Sequence, residues 1–141
     1  MDLQNESALN VLTALIWGEA RGETAIGKLA VGCVVRNRTI DKRWPDTYQE
    51  VILQPYQFSS FNSDDPNYKT TLDALRPSCN GNWGDIAWRE CRWAAQSIIG
   101  HHCQDFTHGA NHYYATNIKT PYWVAGVRPS FMWGPHFFYS L

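Results

Sequence analysis

The sequence predicts a mainly α-helical single domain with a small extended or β part near its C-terminus, an α+β arrangement. Two observations predict it. Apolar residues recur at helical spacing in several segments between Ala8 and Ile99, each bounded by capping or breaking residues. Beyond Gly100 that periodicity stops and clustered aromatics take over. At 141 residues the chain is one domain's length and can bury a core of its own.

The elements follow in order. Ser7 is placed to cap a helix over Ala8–Ala20, a stretch free of proline, which Gly22 ends. Thr24 is the expected cap of a second helix, from Ala25 to about Arg38, with Ile26, Leu29, Ala30, Cys33 and Val34 as its apolar set. Trp44-Pro45 breaks the chain. Asp46 with Gln49 resembles a capping box opening a short helix, Tyr48 to Leu53, that Pro55 stops. A polar loop from Ser59 to Asn67 leads to a helix over Tyr68–Leu75. The turn-rich CNGNWGD then precedes the last helix, Asp85 to about Ile99, with Gly100 as its stop. HYYAT and HFFYS read as short strands.

Composition excludes several classes of function. Hydrophobic residues make up 44% and charged ones 18%, against about 25% charged in a typical domain, so disorder and charged tails are excluded. The formal charge is −1, which leaves no basic field to gather nucleic acid or anionic lipid. No apolar run approaches the roughly 18 residues that span a bilayer. The first ten residues lack the basic start and apolar stretch of a secretory signal; reduced thiols and synthesis in the cytoplasm are expected, with access to the wall after release. Cys91, Cys103, His101, His102 and His108 do not come in the paired spacing of zinc sites, so no metal or other cofactor is expected. The seven Trp and seven Tyr suit a core, and equally a groove that stacks on sugar rings.

One residue stands out. On a helical wheel Leu9, Leu12, Leu15 and Ile16 share a stripe with Ala8, while Asn10, Thr13 and Trp17 point elsewhere. Glu19 falls in the middle of that stripe. A carboxylate there is costly unless paired. Either it forms an ion pair with Arg21, Arg36 or Arg38, or it stays partly protonated in an apolar cleft. The second state is what a general acid for glycosidic cleavage needs. Arg21 would oppose that duty and is expected to point away.

The stretches ALIWGEARGE, GKLAVGCVVRNR, WPDTYQEVILQPYQFS, NHYYAT, PYWVAG and GPHFFYS, in this order from about Leu12 to Tyr139, resemble the SleB-type cell-wall hydrolase family and related phage lysis enzymes. The resemblance implies a lysozyme-like fold with a glycan-binding cleft. It implies cleavage of peptidoglycan glycan strands between N-acetylmuramic acid and N-acetylglucosamine, and Glu19 as counterpart of the family's catalytic glutamate in E-A-R-G-E. A lytic transglycosylase needs only that acid, because the muramic 6-hydroxyl attacks the anomeric carbon; a hydrolysing muramidase would need a second polar group, with Asp64 and Asp65 the candidates. Glu23 and Asp46 are otherwise explained, as a favourable charge at the start of the second helix and as a cap.

Gln57, Phe58 and Ser59 match the family's Q-F-S motif and are expected to bind substrate. Of Tyr113 and Tyr114, strand alternation sends one into the cleft, and Tyr114 is the choice. Trp123 is a stacking candidate, and His136 and His112 either line the site or anchor the C-terminal lobe. Trp83, Trp88, Trp93 and Trp133 are assigned to the core. The expected species is a monomeric, single catalytic domain without a separate wall-binding domain. Two other classes remain open: a Cys-His amidase using Cys79, Cys91 or Cys103 with His108 or His112, and a non-catalytic sugar-binding module.

Overall fold

The computed structural model describes residues 3–55, 57–66, 68–75 and 86–141. Among these residues four helices surround a fifth, and a three-stranded sheet closes one side. The helices are α1 (Ala8–Ala20), α2 (Ala25–Ile40), α3 (Tyr48–Ile52), α4 (Tyr68–Leu75) and α5 (Ile86–Ile99). The strands are β1 (His112–Ala115), β2 (Phe131–Trp133) and β3 (His136–Tyr139). CNGNWGD, Cys79, Trp83 and the expected helix start at Asp85 lie outside the described residues.

Helix α1 is the axis. Ser7 caps it, its hydroxyl accepting from Asn10 N at 3.1 Å. The helix is apolar nearly all round, and it is therefore buried all round, against each of the other four helices. Val11, Leu12, Ala14, Leu15 and Ile16 are fully enclosed. So is Thr13, which the wheel directs away from the core; its hydroxyl donates back to Leu9 O at 2.6 Å. The core therefore has no single stripe on α1, and Glu19 is reached where the helix emerges at its end.

Helix α2 runs two residues beyond the expected end. Its cap differs too: Thr24 makes no side-chain cap bond, because its hydroxyl accepts from Trp133 Nε1 at 2.8 Å. Arg36 is buried and donates to Ile98 O and Cys103 O, satisfying carbonyls where α5 ends. The box opening α3 is made by Thr47 and Glu50, one residue on from Asp46 and Gln49: Thr47 Oγ1 accepts from Glu50 N and donates to Glu50 Oε1, both at 3.1 Å. Gly100 ends α5, but the left-handed turn falls on His101, at φ 55°.

The sheet has order β1-β3-β2 and is antiparallel throughout. Tyr113 faces Phe138, and Phe131 faces Phe138 from the other side. This places Tyr113, Phe138, Phe131 and His136 on the face towards α2, where Phe138 is fully buried with Ala30, Val34 and Ala110. His112, Tyr114, Phe137 and Tyr139 take the opposite face. Strand β2 is absent from the sequence reading because three residues between Pro129 and Gly134-Pro135 are too few to show alternation. Two tryptophans expected in the core are not there. Trp88 is buried, whereas Trp93 is 50% and Trp133 40% exposed.

Helix α2 packs closely on α5 at Gly32. A Cβ at Gly32 would lie 2.6 Å from Ile98 Cγ1, inside a fully buried contact. Gly32→Ala is expected to lower stability by about 1–2 kcal/mol, the overpacking cost less the gain in helix propensity. Gly22→Ala, with nothing within 4 Å, should stay within about 0.5 kcal/mol. Urea unfolding of both variants checks this.

Candidate functional site

One cleft of about 680 Å³ lies between the end of α1, the segment after α3 and the sheet. Gly18 and Glu19 of α1, Arg38 of α2, Gln57, Phe58 and Asn62 line one side. His112, Tyr113 and Tyr114 of β1, His136 of β3 and Pro121–Trp123 line the other. Seven of the eight site residues expected from sequence thus meet in a single cavity: Glu19, Gln57, Phe58, Tyr113, Tyr114, Trp123 and His136. The eighth, Ser59, has its backbone in the 3₁₀ turn Ser59–Phe61 beside the cleft; its side chain is outside the described part.

Glu19 is half-buried, and Tyr113 donates its phenolic hydrogen to Glu19 Oε1 at 3.2 Å. The two residues are 94 apart in sequence, and only the docking of β1 against the helices joins them. Burial first, then the neighbouring Glu19, push the Tyr113 hydroxyl well above its ordinary range, while Arg38 acts in the opposite direction. Tyr113 therefore remains a donor at any working pH. Both tyrosines line the cleft, but Tyr113 is the one bonded to the acid. Tyr114 turns to the other face and packs edge-on against Trp123 and Phe137. Tyr113 is held by rings on three sides: Phe58, Phe138 and the edge-on imidazole of His136 at 5.5 Å.

Arg21 does not line the cleft. It folds back one turn, its guanidinium 4.4 Å over the Trp17 ring and Nη1 donating to Trp17 O. Arg36 is committed to the carbonyls of Ile98 and Cys103. Arg38, absent from the expected substrate-binding residues, is nearly enclosed in the cleft wall. Its Nε donates to Asn111 O at 2.8 Å and its Nη1 to Gln57 Oε1 at 3.2 Å, with Trp44 and Phe58 each 5.2 Å from its charge. Burial lowers it to about 10, so it remains a cation at neutral pH.

Among the described residues that line the cleft, Glu19 is the one carboxylic acid. Asp64 and Asp65 belong to the loop that borders it, but the loop contributes Asn62 instead. Glu23 does more than start α2. Its carboxylate sits 3.9 Å from His136 Nδ1 and close to Gly134, where a Cβ would come within 2.9 Å of Oε1. The two histidines differ. His112 is anchored, its Nδ1 2.8 Å from Asn111 Oδ1; neither nitrogen of His136 has a hydrogen-bond partner among the described residues. Cys33 and Cys91 are buried and Cys103 is half-buried; none lines the cleft, and burial pushes the Cys33 thiol up to about 12, the wrong direction for a nucleophile. Cys79 is outside the described residues. No group of three or more metal-ligating side chains occurs among the described residues, and none of their helices is long and apolar enough to cross a membrane.

The family model for cell wall hydrolases matches residues 22–139. The chain belongs to the cell wall hydrolase family. Glu19 lies just upstream of the matched stretch, which includes every other cleft residue except Gly18. Among its relatives, a spore cortex-lytic enzyme of Halalkalibacterium halodurans is 26% identical over 85% of this chain and 31% of its own length. Another, from Oceanobacillus iheyensis, is 32% identical over 50% of this chain and 28% of its own length. The chain thus spans about a third of the relatives it matches. In fold it is similar to the catalytic domain of the germination-specific lytic transglycosylase SleB from Bacillus anthracis, with TM-score 0.73 and 21% identity over 96% of this chain and 98% of that one. The SleB catalytic domain of Bacillus cereus matches with the same TM-score and identity, over 94% and 89%. The lysozyme-like α+β fold expected from the motifs is the fold observed.

The cleft's electrostatics yield a test. Burial, then Arg38 and Arg43, lower His112 to about 4. The folded form thus binds fewer protons there than the unfolded chain. Its contribution to stability is full above about pH 6.5 and is lost as pH falls through about 4. Denaturant unfolding at pH 7 and pH 4.5 should show the loss, and His112→Phe should flatten that part of the profile.

Proposed function

We propose that this cell wall hydrolase cleaves peptidoglycan glycan strands between N-acetylmuramic acid and N-acetylglucosamine as a lytic transglycosylase, with Glu19 as its acid and base. The observation that carries this reading is the single carboxyl group among the described residues that line the cleft, Glu19, held by a buried tyrosine hydroxyl. Glycosidases that use water or a covalent intermediate employ two carboxyl groups flanking the bond. A transglycosylase needs one. Family membership and the similarity to SleB catalytic domains support the same chemistry.

In this mechanism the protonated Glu19 gives its proton to the glycosidic oxygen as the bond to the muramic anomeric carbon breaks. The resulting carboxylate takes the proton of the muramic 6-hydroxyl, whose oxygen closes on that carbon. A 1,6-anhydro sugar forms, the other fragment leaves with a free 4-hydroxyl, and Glu19 is again protonated. No water is consumed. Tyr113 bonds to Oε1 of Glu19 and so holds the carboxyl's rotation while a proton is given and taken back. Tyr114 and Trp123 offer ring faces and edges to the sugars, Gln57 and Asn62 offer polar contacts, and Phe58, 2% exposed, backs the wall behind them. The site of action is the cell wall.

Purified sacculi digested with wild type should release anhydro-muramic ends, detected by mass spectrometry. Glu19→Gln should reduce release by about 10²–10⁴-fold, the usual worth of a general acid. Reducing muramic ends would instead assign a water-using muramidase. Cleaved stem peptides, or full activity in the variant, would refute the reading. Tyr113→Phe keeps the ring packing and removes the hydroxyl; it should cost about tenfold or more in kcat with little change in KM, since a hydrogen bond to an ionisable group is lost at the reacting carboxyl.

A further inference from the structure

Two polar side chains on the cleft have their orientation set from behind, by a continuous network through Arg38 and Asn111. A guanidinium can only donate, so the atom of Gln57 facing Arg38 Nη1 at 3.2 Å is its carbonyl oxygen. The Gln57 amide nitrogen, a donor, is the end left for the cleft. The same logic fixes His112. Leu141 N–H donates to Asn111 Oδ1 at 3.0 Å, and Asn111 Nδ2 donates to Leu141 O at 3.1 Å, so the Asn111 amide has one orientation. Its Oδ1 can therefore only accept from His112 Nδ1, 2.8 Å away, and Nδ1 carries the hydrogen. The imidazole is neutral, with the cations Arg38 and Arg43 facing it, so Nε2 has a bare lone pair. Arg38 Nε closes the network by donating to Asn111 O at 2.8 Å.

The cleft thus holds a fixed donor, Gln57, and a fixed acceptor, His112, with the rings of Phe58 and Trp123 beside them. An acetamido group is the complement. Its amide is planar and trans, with the carbonyl and the N–H directed oppositely, and it ends in a methyl group. We propose that Gln57 and His112 form an acetamido-recognising subsite, in which Gln57 Nε2 donates to the acetamido carbonyl, His112 Nε2 accepts from its N–H, and Arg38 and Asn111 act as positioning residues. The inference rests on the glycan reading, because both sugars of that strand carry the group. It adds a selectivity: the subsite binds N-acetylated sugars and rejects glucosamine, whose amine offers no carbonyl and leaves Gln57 unpaired.

The test uses the full chain labelled with ¹⁵N-histidine, titrated with N-acetylglucosamine tetramer and separately with glucosamine tetramer. In the free protein His112 should show the Nδ1–H neutral tautomer at pH 7. The acetylated tetramer should move the His112 Nε2 resonance, and the glucosamine tetramer should bind at least about tenfold more weakly. Gln57→Glu still accepts from Arg38 but has no donor; it should lose that discrimination while keeping the tautomer and the unfolding midpoint. His112→Phe keeps a ring between Trp44 and Trp123 and should also lose it. An Nε2–H tautomer, or equal binding of both tetramers, overturns the subsite. Sacculus digestion separates this from the reaction. Anhydro ends with equal tetramer binding would leave the transglycosylase standing and sink the subsite; selective binding without fragments would do the reverse.

Discussion

The guanidinium of Arg38 holds the cleft together. It reaches from α2 to the carbonyl of Asn111, just before β1, and to the side chain of Gln57, after α3, while Trp44 and Phe58 flank its charge. Three walls of the cavity therefore meet on one side chain. Burying a cation this deeply is costly, and its cost is offset here by fixed dipoles and ring faces rather than by a carboxylate. That choice matters for the chemistry. A carboxylate placed beside Arg38 would be a second acid in the cleft, whereas with carbonyl partners Glu19 is the one carboxylic acid among the described residues that line it.

The acid itself sits where the central helix runs out of neighbours. Helix α1 is enclosed by the other four helices along most of its length, with Val11 to Ile16 fully buried. A carboxyl projecting from the last turn of such a helix is positioned without help from a loop. Tyr113 supplies the remaining constraint from the sheet. Arg21, two residues on, is drawn back over Trp17, which keeps a permanent charge out of the cleft.

Much of this was legible in the sequence where a local rule applied. Ser7, Gly22 and the apolar run set the bounds of α1, and the carboxylate among its apolar residues marked Glu19 as unusual. Where two local candidates competed, sequence reasoning chose wrongly. Asp46 and Thr47 are both good caps, and the choice between them depends on where the chain leaves Pro45. Thr24 lost its cap role to a tryptophan 109 residues away. Alternation in β1 correctly put Tyr113 and Tyr114 on opposite faces but could not say which face meets α1. Arg38 was only one of three possible ion-pair partners for Glu19, and His112 was open between lining the site and anchoring the C-terminal lobe; which groups each of them meets is decided by the docking of β1 and the segment after α3 on α2.

The sequence alone determined the helical framework, the aromatic C-terminal lobe, the family resemblance and the unusual position of Glu19 among apolar residues, because capping, periodicity and motif order act over a few residues. The tertiary structure decided which groups meet: Tyr113 with Glu19, Arg38 with Gln57 and Asn111, Glu23 with His136. Those pairings join residues from separate elements, up to 113 positions apart. They depend on strand register and on the docking of the sheet against α2, which are collective outcomes of packing and leave no mark on any single stretch of chain.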